Sequence, residues 1–102
     1  MATFLTHALF SEHLNTTFRV ILDDSNSIEM KLTELSELLL SPQQERFAVV
    51  FKGPKEPFLG QGTRQFVHDQ MGAFDLFIVP IGADETSVNY EATFNRLVEK
   101  PN

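Results

Sequence analysis

The chain has 102 residues, 42% of them hydrophobic and 22% charged, with a formal net charge of −6, ten phenylalanines, no tryptophan and no cysteine. At this length one domain is expected, able to bury roughly 65% of its unfolded surface around one modest core. The missing cysteine rules out disulfides, zinc–thiolate sites, iron–sulfur clusters and cysteine nucleophiles. Acid is spread over both halves and no lysine/arginine cluster exists, which makes nucleic acid and anionic membranes poor partners.

"MATFLTHALF" lacks a basic n-region and a long apolar h-region, and no run approaches the roughly 20 apolar residues of a membrane span, so a cytoplasmic location is expected. Thr6 is a candidate N-cap for a short helix near 7–14, with Leu9, Phe10 and Leu14 at helical spacing and Asn15 at its end. "TTFRVIL" (16–22) is rich in β-branched residues and reads as a strand; "DDSNS" (23–27) is a turn; "IEMKL" (28–32) alternates, with Ile28, Met30 and Leu32 on one face. The alternation breaks after Leu32, and a β-bulge near Thr33–Glu34 would restore register; otherwise the strand ends there. "LSELLL" (35–40) fits either a helical turn or a continued strand, and "SPQQ" (41–44) is a loop.

"RFAVVFK" (46–52) is apolar on both faces and predicts a central strand. "TRQFVH" (63–68), the turn "DQMG" (69–72) and "AFDLFIVP" (73–80) predict a second hairpin, followed by a polar loop over 81–87. "VNYEATFN" (88–95) alternates, with Val88, Tyr90, Ala92 and Phe94 inward, and a tail occupies 96–102. The expected fold is mainly β, about six antiparallel strands closed into a small barrel or folded into a sandwich, with one short N-terminal helix. One domain spans 1–102, with its β core over 16–95.

The stretch "FKGPKEPFLGQGTRQF" (51–66) holds three of the five glycines and two of the five prolines. It fails as a phosphate loop: Gly53 and Gly60 are too far apart, no lysine follows the second glycine, and a strand rather than a helix comes next. It reads instead as a bent connection stiffened by Pro54 and Pro57, with Phe58 and Leu59 folding back onto the core. The acidic turn from Asp23 places Ser25, Ser27 and Glu34 at calcium-loop positions, but Ile28 stands where that loop needs glycine. His7 and His13 are about 240° apart around a helix and share no face. His68 next to Asp69 reads as a surface turn, because neighbours in a strand point to opposite faces. Asp75 is the one carboxylate in an apolar strand, and a solvent-facing or edge position is expected for it; if it is buried instead, Tyr90 and Arg64 are its plausible partners. No nucleophile elbow is present, and no metal or cofactor is expected.

Two loops, over 53–62 and 81–89, would meet at one mouth of a barrel. Lys55, Phe58, Gln61 and Arg64 from the first, with Asp84, Glu85 and Asn89 from the second, are the candidate ligand- or partner-contacting residues.

"FKGPKEPFLGQGT" (51–63), His68 to Gly72 as H-x-x-x-G, "LFIVPIG" (76–82) and "YEATFN" (90–95), in that order, resemble an uncharacterised small bacterial domain family of unknown function. The resemblance covers mainly residues 46–95 and implies a small bacterial β domain. It supplies no catalytic residues, since Gly53, Pro54, Gly62, Gly72, Pro80 and Gly82 are turn and strand-end positions. The expectation is a non-catalytic structural or protein-interaction module of a bacterial assembly, phage-tail-like or fibre-associated, that binds itself or another protein. The alternative is a barrel that binds a small molecule or glycan; an enzyme using Asp75 or His68 is the third reading.

Overall fold

The computed structural model describes residues 5–97. The Thr6 hydroxyl accepts the Leu9 N–H at 3.0 Å and caps α1 (His7–Glu12). The helix is shorter than 7–14, because His13 already leaves helical geometry and Asn15 turns the chain at a positive φ of 68°. Seven strands follow: β1 (Thr17–Ile21), β2 (Ser27–Leu35), β3 (Leu39–Leu40), β4 (Gln44–Pro54), β5 (Gly62–His68), β6 (Gly72–Ala83) and β7 (Ser87–Leu97). Among the described residues no helix is long and apolar enough to cross a membrane. The tail expected from residue 96 begins later, since β7 continues through Arg96 and Leu97 in register with Glu45 and Gln44; the rest of that tail, 98–102, lies outside the described residues.

The strands run β2-β1-β5-β6-β7-β4, and a further β2–β4 pairing closes the ring. This is a six-stranded antiparallel barrel, which decides between barrel and sandwich. β3, the strand beyond the six expected, hangs on the outside of β4, with Leu39 opposite Arg46 and Leu40 opposite Glu45. The bulge near Thr33 is present: Leu32 faces Phe51, then Glu34 faces Val50, and the slip keeps Leu35 toward the core while Glu34 is exposed. Closure therefore depends on one extra residue that reverses the alternation.

The barrel is narrow enough for side chains to fill it. Phe18, Val20, Met30, Leu32, Val49, Phe51, Phe66, Ile78 and Tyr90 are fully buried. Aromatic rings meet edge-on or tilted through this interior, Phe18 against Phe51 at 5.1 Å and Phe51 against Phe66 at 4.8 Å. Gly53 lies where a Cβ would come within 3.0 Å of the Met30 side chain, so a larger residue there would displace the core. Gly72 closes the three-residue β5–β6 turn at a φ of 81°, a left-handed conformation that favours glycine.

β4 and β7 pair without a break from Gln44–Leu97 to Pro54–Ser87. Eleven residues at about 3.4 Å each make this ladder roughly 35 Å long, more than the barrel wall needs. It projects past the ring and accounts for the elongated extents of 49 × 31 × 23 Å.

Candidate functional site

The antiparallel order brings three connections to one end of the barrel: the β1–β2 turn, the β4–β5 loop and the β6–β7 turn. The two loops expected to share a mouth therefore do share one. The mouth is closed: Leu59 is 5% exposed and belongs to the core, and its backbone N–H donates to the buried Tyr90 hydroxyl at 2.9 Å. Phe58 does not fold back as expected; it stands 60% exposed, its ring 6.4 Å from that of Tyr90. Anchoring one of two adjacent residues in the loop turns the other outward.

The remaining candidate residues have different surroundings. Lys55, Gln61, Asp84 and Glu85 are exposed, while Arg64 and Asn89 are half-buried. Arg64 donates to the Gly60 carbonyl at 3.4 Å, and its buried Nε has no partner. Asp84 is bound up in its own turn, its Oδ1 accepting from the Thr86 N–H at 2.9 Å, the Ser87 N–H at 2.8 Å and the Ser87 hydroxyl at 2.9 Å. The Thr86 N–H, then Ser87, hold this carboxyl well below the ordinary carboxylate range, with Lys52 at 3.7 Å adding a little. Asp23 repeats the design at the β1–β2 turn, held low first by the Asn26 side chain and then by the Ser25 N–H. The β6–β7 connection is also tighter than the loop expected over 81–87, since β6 continues through a bulge at Pro80–Gly82 to Ala83.

Asp75 is exposed on the outer wall of β6, in register with Gln65, so the two partners considered for it are engaged elsewhere. His68 is a correction. It is buried, 7% exposed, not a surface turn. Its Nδ1 accepts from the Gln70 N–H at 3.0 Å and the Met71 N–H at 3.3 Å, while Nε2 lies 3.0 Å from the Thr16 hydroxyl. Among the described residues no group of three or more His, Asp or Glu is gathered to hold a metal.

Sequence reasoning missed the surface at the opposite end. There α1 packs on the projecting ladder: Phe10 meets Phe47 at 6.1 Å, Phe94 at 5.4 Å and Phe74 at 6.3 Å, and Phe47 stacks on Phe94 at 4.7 Å. β3 borders this ladder with Leu38, Leu39 and Leu40 at 36%, 53% and 69% exposure. Among the described residues β3 pairs only with β4, and β7 beyond Glu91 pairs only with β4. The extension is thus a three-stranded ribbon, β3–β4–β7, that leaves the ring. Phe77 and Ile81 add exposed apolar surface on the outer wall of β6. The signal for β3 was available, since three consecutive leucines in a strand cannot all face inward.

Neither a curated protein nor a solved structure matches the chain. A family model does match, over residues 5–94, wider than the motifs over 46–95 alone suggested because the helix and first hairpin are included. The chain belongs to that family, DUF6916, a domain of unknown function.

Proposed function

We propose that this domain is a non-catalytic structural or protein-interaction module that joins a larger bacterial assembly, phage-tail-like or fibre-like, through itself or a partner protein. The observation that carries the reading is the β3–β4–β7 ribbon, where among the described residues β3 pairs only with β4 and three exposed leucines, Leu38 to Leu40, lie along that edge. A free edge offers unpaired backbone groups to an added strand, and apolar side chains along it strengthen the pairing. The occupied nitrogens of His68 and the exposed setting of Asp75 fit a scaffold better than a catalytic pair. Native mass spectrometry of the full chain, purified gently, tests the reading. A multimer or defined complex is expected, lost in the Leu39→Lys/Leu40→Lys variant while the barrel stays folded. A bare monomer, or a complex indifferent to those substitutions, would end it.

The glycan or small-molecule reading rests on Phe58, an exposed ring on a loop pinned by its neighbour Leu59. With the interior filled, such a ligand would lie across the outside of the loop end. Phe58 ring signals that stay still across a glycan panel in NMR titration would remove it.

A further inference from the structure

Around His68, a polar chain joins the segment after α1 to the β5–β6 turn. The ring has both nitrogens engaged, in opposite senses. Nδ1 faces two backbone N–H donors, Gln70 and Met71, so it accepts and carries no proton. The proton is therefore on Nε2, which donates to the Thr16 hydroxyl; that hydroxyl in turn donates to the His13 carbonyl at 2.6 Å. The chain runs from the turn, through the imidazole and Thr16, to the residue that ends α1. Phe18 from β1 lies 4.4 Å from the ring and contributes no charge. The titratable groups that act on it are His13 from the α1 side, its ring 4.6 Å away, and Asp69 from the turn.

We propose that this chain is a pH-sensitive latch: protonation of His68 at Nδ1 opens the β5–β6 turn and loosens α1 from the projecting ribbon. A proton on Nδ1 replaces an acceptor with a donor aimed at two N–H groups, and no single ring rotation restores both bonds. The imidazolium also meets the His13 ring at 4.6 Å, where a second positive charge is repelled. Because α1 holds Phe10 against Phe47 and Phe94, its release uncovers apolar surface on the ribbon that the proposed function uses.

The sign follows from the neutral folded form. Burial, then His13, hold the His68 pKa below its ordinary value, with Asp69 opposing. The unfolded ring takes its proton at about 6.5. Below that pH the unfolded state binds more protons than the native one, so the latch is complete above about 6.5 and weakens as pH falls through the folded value.

The test is amide hydrogen exchange on the full chain from pH 7.5 to 5, read as protection factors, with the imidazole nitrogens followed by NMR. The expected result is an Nε2–H tautomer at pH 7.5. Gln70 and Met71 should then lose protection together with α1 as pH falls below about 6.5, by at most about tenfold per pH unit for one proton, levelling off once the folded ring itself is protonated. His13→Gln should shrink that loss, because removing the neighbouring charge brings the folded value closer to the unfolded one. Unchanged protection at Gln70 and Met71 down to pH 5, or an Nδ1–H tautomer, overturns the latch. These readouts come from the monomer, so they stand or fall separately from association through the ribbon.

Discussion

The two ends of the barrel are closed by different means. At the loop end, one aliphatic side chain, Leu59, is set into the mouth, and its backbone N–H is fixed by the hydrogen bond it donates to a buried tyrosine hydroxyl. At the helix end, one aromatic side chain, Phe10, is shared among three others on β4, β6 and β7, and the helix that carries it is held by polar contacts at both termini. The loop plug sits in a connection already stiffened by prolines. The helix plug has six residues, too few to be stable unless packed. One end is rigid by construction, and the other depends on its contacts.

The hardest test of that contrast is Phe10→Ala. Removing a fully buried ring that touches three others should cost about 3–5 kcal/mol, measured by urea unfolding. A loss below about 1 kcal/mol would mean that the helix decorates the barrel without closing it. Leu59→Ala should cost somewhat less, about 2–4 kcal/mol, because the loop backbone keeps its bond to Tyr90. Tyr90→Phe sharpens the distinction: it leaves the apolar plug and removes only the acceptor for the Leu59 N–H. The expected cost is about 1–3 kcal/mol, with faster amide exchange at Leu59 and none at α1.

The smaller Thr6→Ala change asks the same question from the other end. Losing the hydroxyl that accepts the Leu9 N–H should cost about 1 kcal/mol, or roughly 4 °C in melting temperature for a domain of this size. Exchange in α1 should rise while Leu59 stays protected. If Leu59 changes as well, the two plugs are coupled and the contrast fails.

How much of this was legible in the sequence depended on whether the decisive contact was local. The first hairpin, the bulge after Leu32 and the alternation of Val88, Tyr90 and Ala92 all follow from period-two patterning, which a single strand carries within itself. Thr6 was legible for the same reason. Phe58 and Leu59 were not distinguishable, because both are large and apolar and only the Tyr90 hydroxyl, 31 residues later, selects which one is held. His68 looked like a turn residue because its burial comes from Phe18 and the segment around Thr16, some fifty positions earlier in the chain. The two strand-edge devices also hid: Pro80 looked like the end of β6, although a bulge carries that strand to Ala83, and Leu38–Leu40 fitted two opposite elements equally well.

Acid should separate the ends by order as well as by size. The helix end answers to an imidazole and weakens below about 6.5, while the loop end answers to Asp84 and Asp23, whose carboxyls are held below the ordinary range by turn N–H groups and side chains. For a carboxyl so depressed, the native state binds fewer protons than the unfolded one as pH falls below about 4, so its contribution is present above that value and fades below it. Both carboxylates are open to solvent, which makes this the smallest effect of the set. It shows best as a difference: Asp84→Asn should be less stable than the parent at pH 7 and converge on it toward pH 2, with the Thr86 and Ser87 amides exchanging faster at neutral pH. Parallel curves for the two proteins across that range would mean that the turn carboxylate does not hold the loop end, and that its rigidity comes from Leu59 and Tyr90 alone.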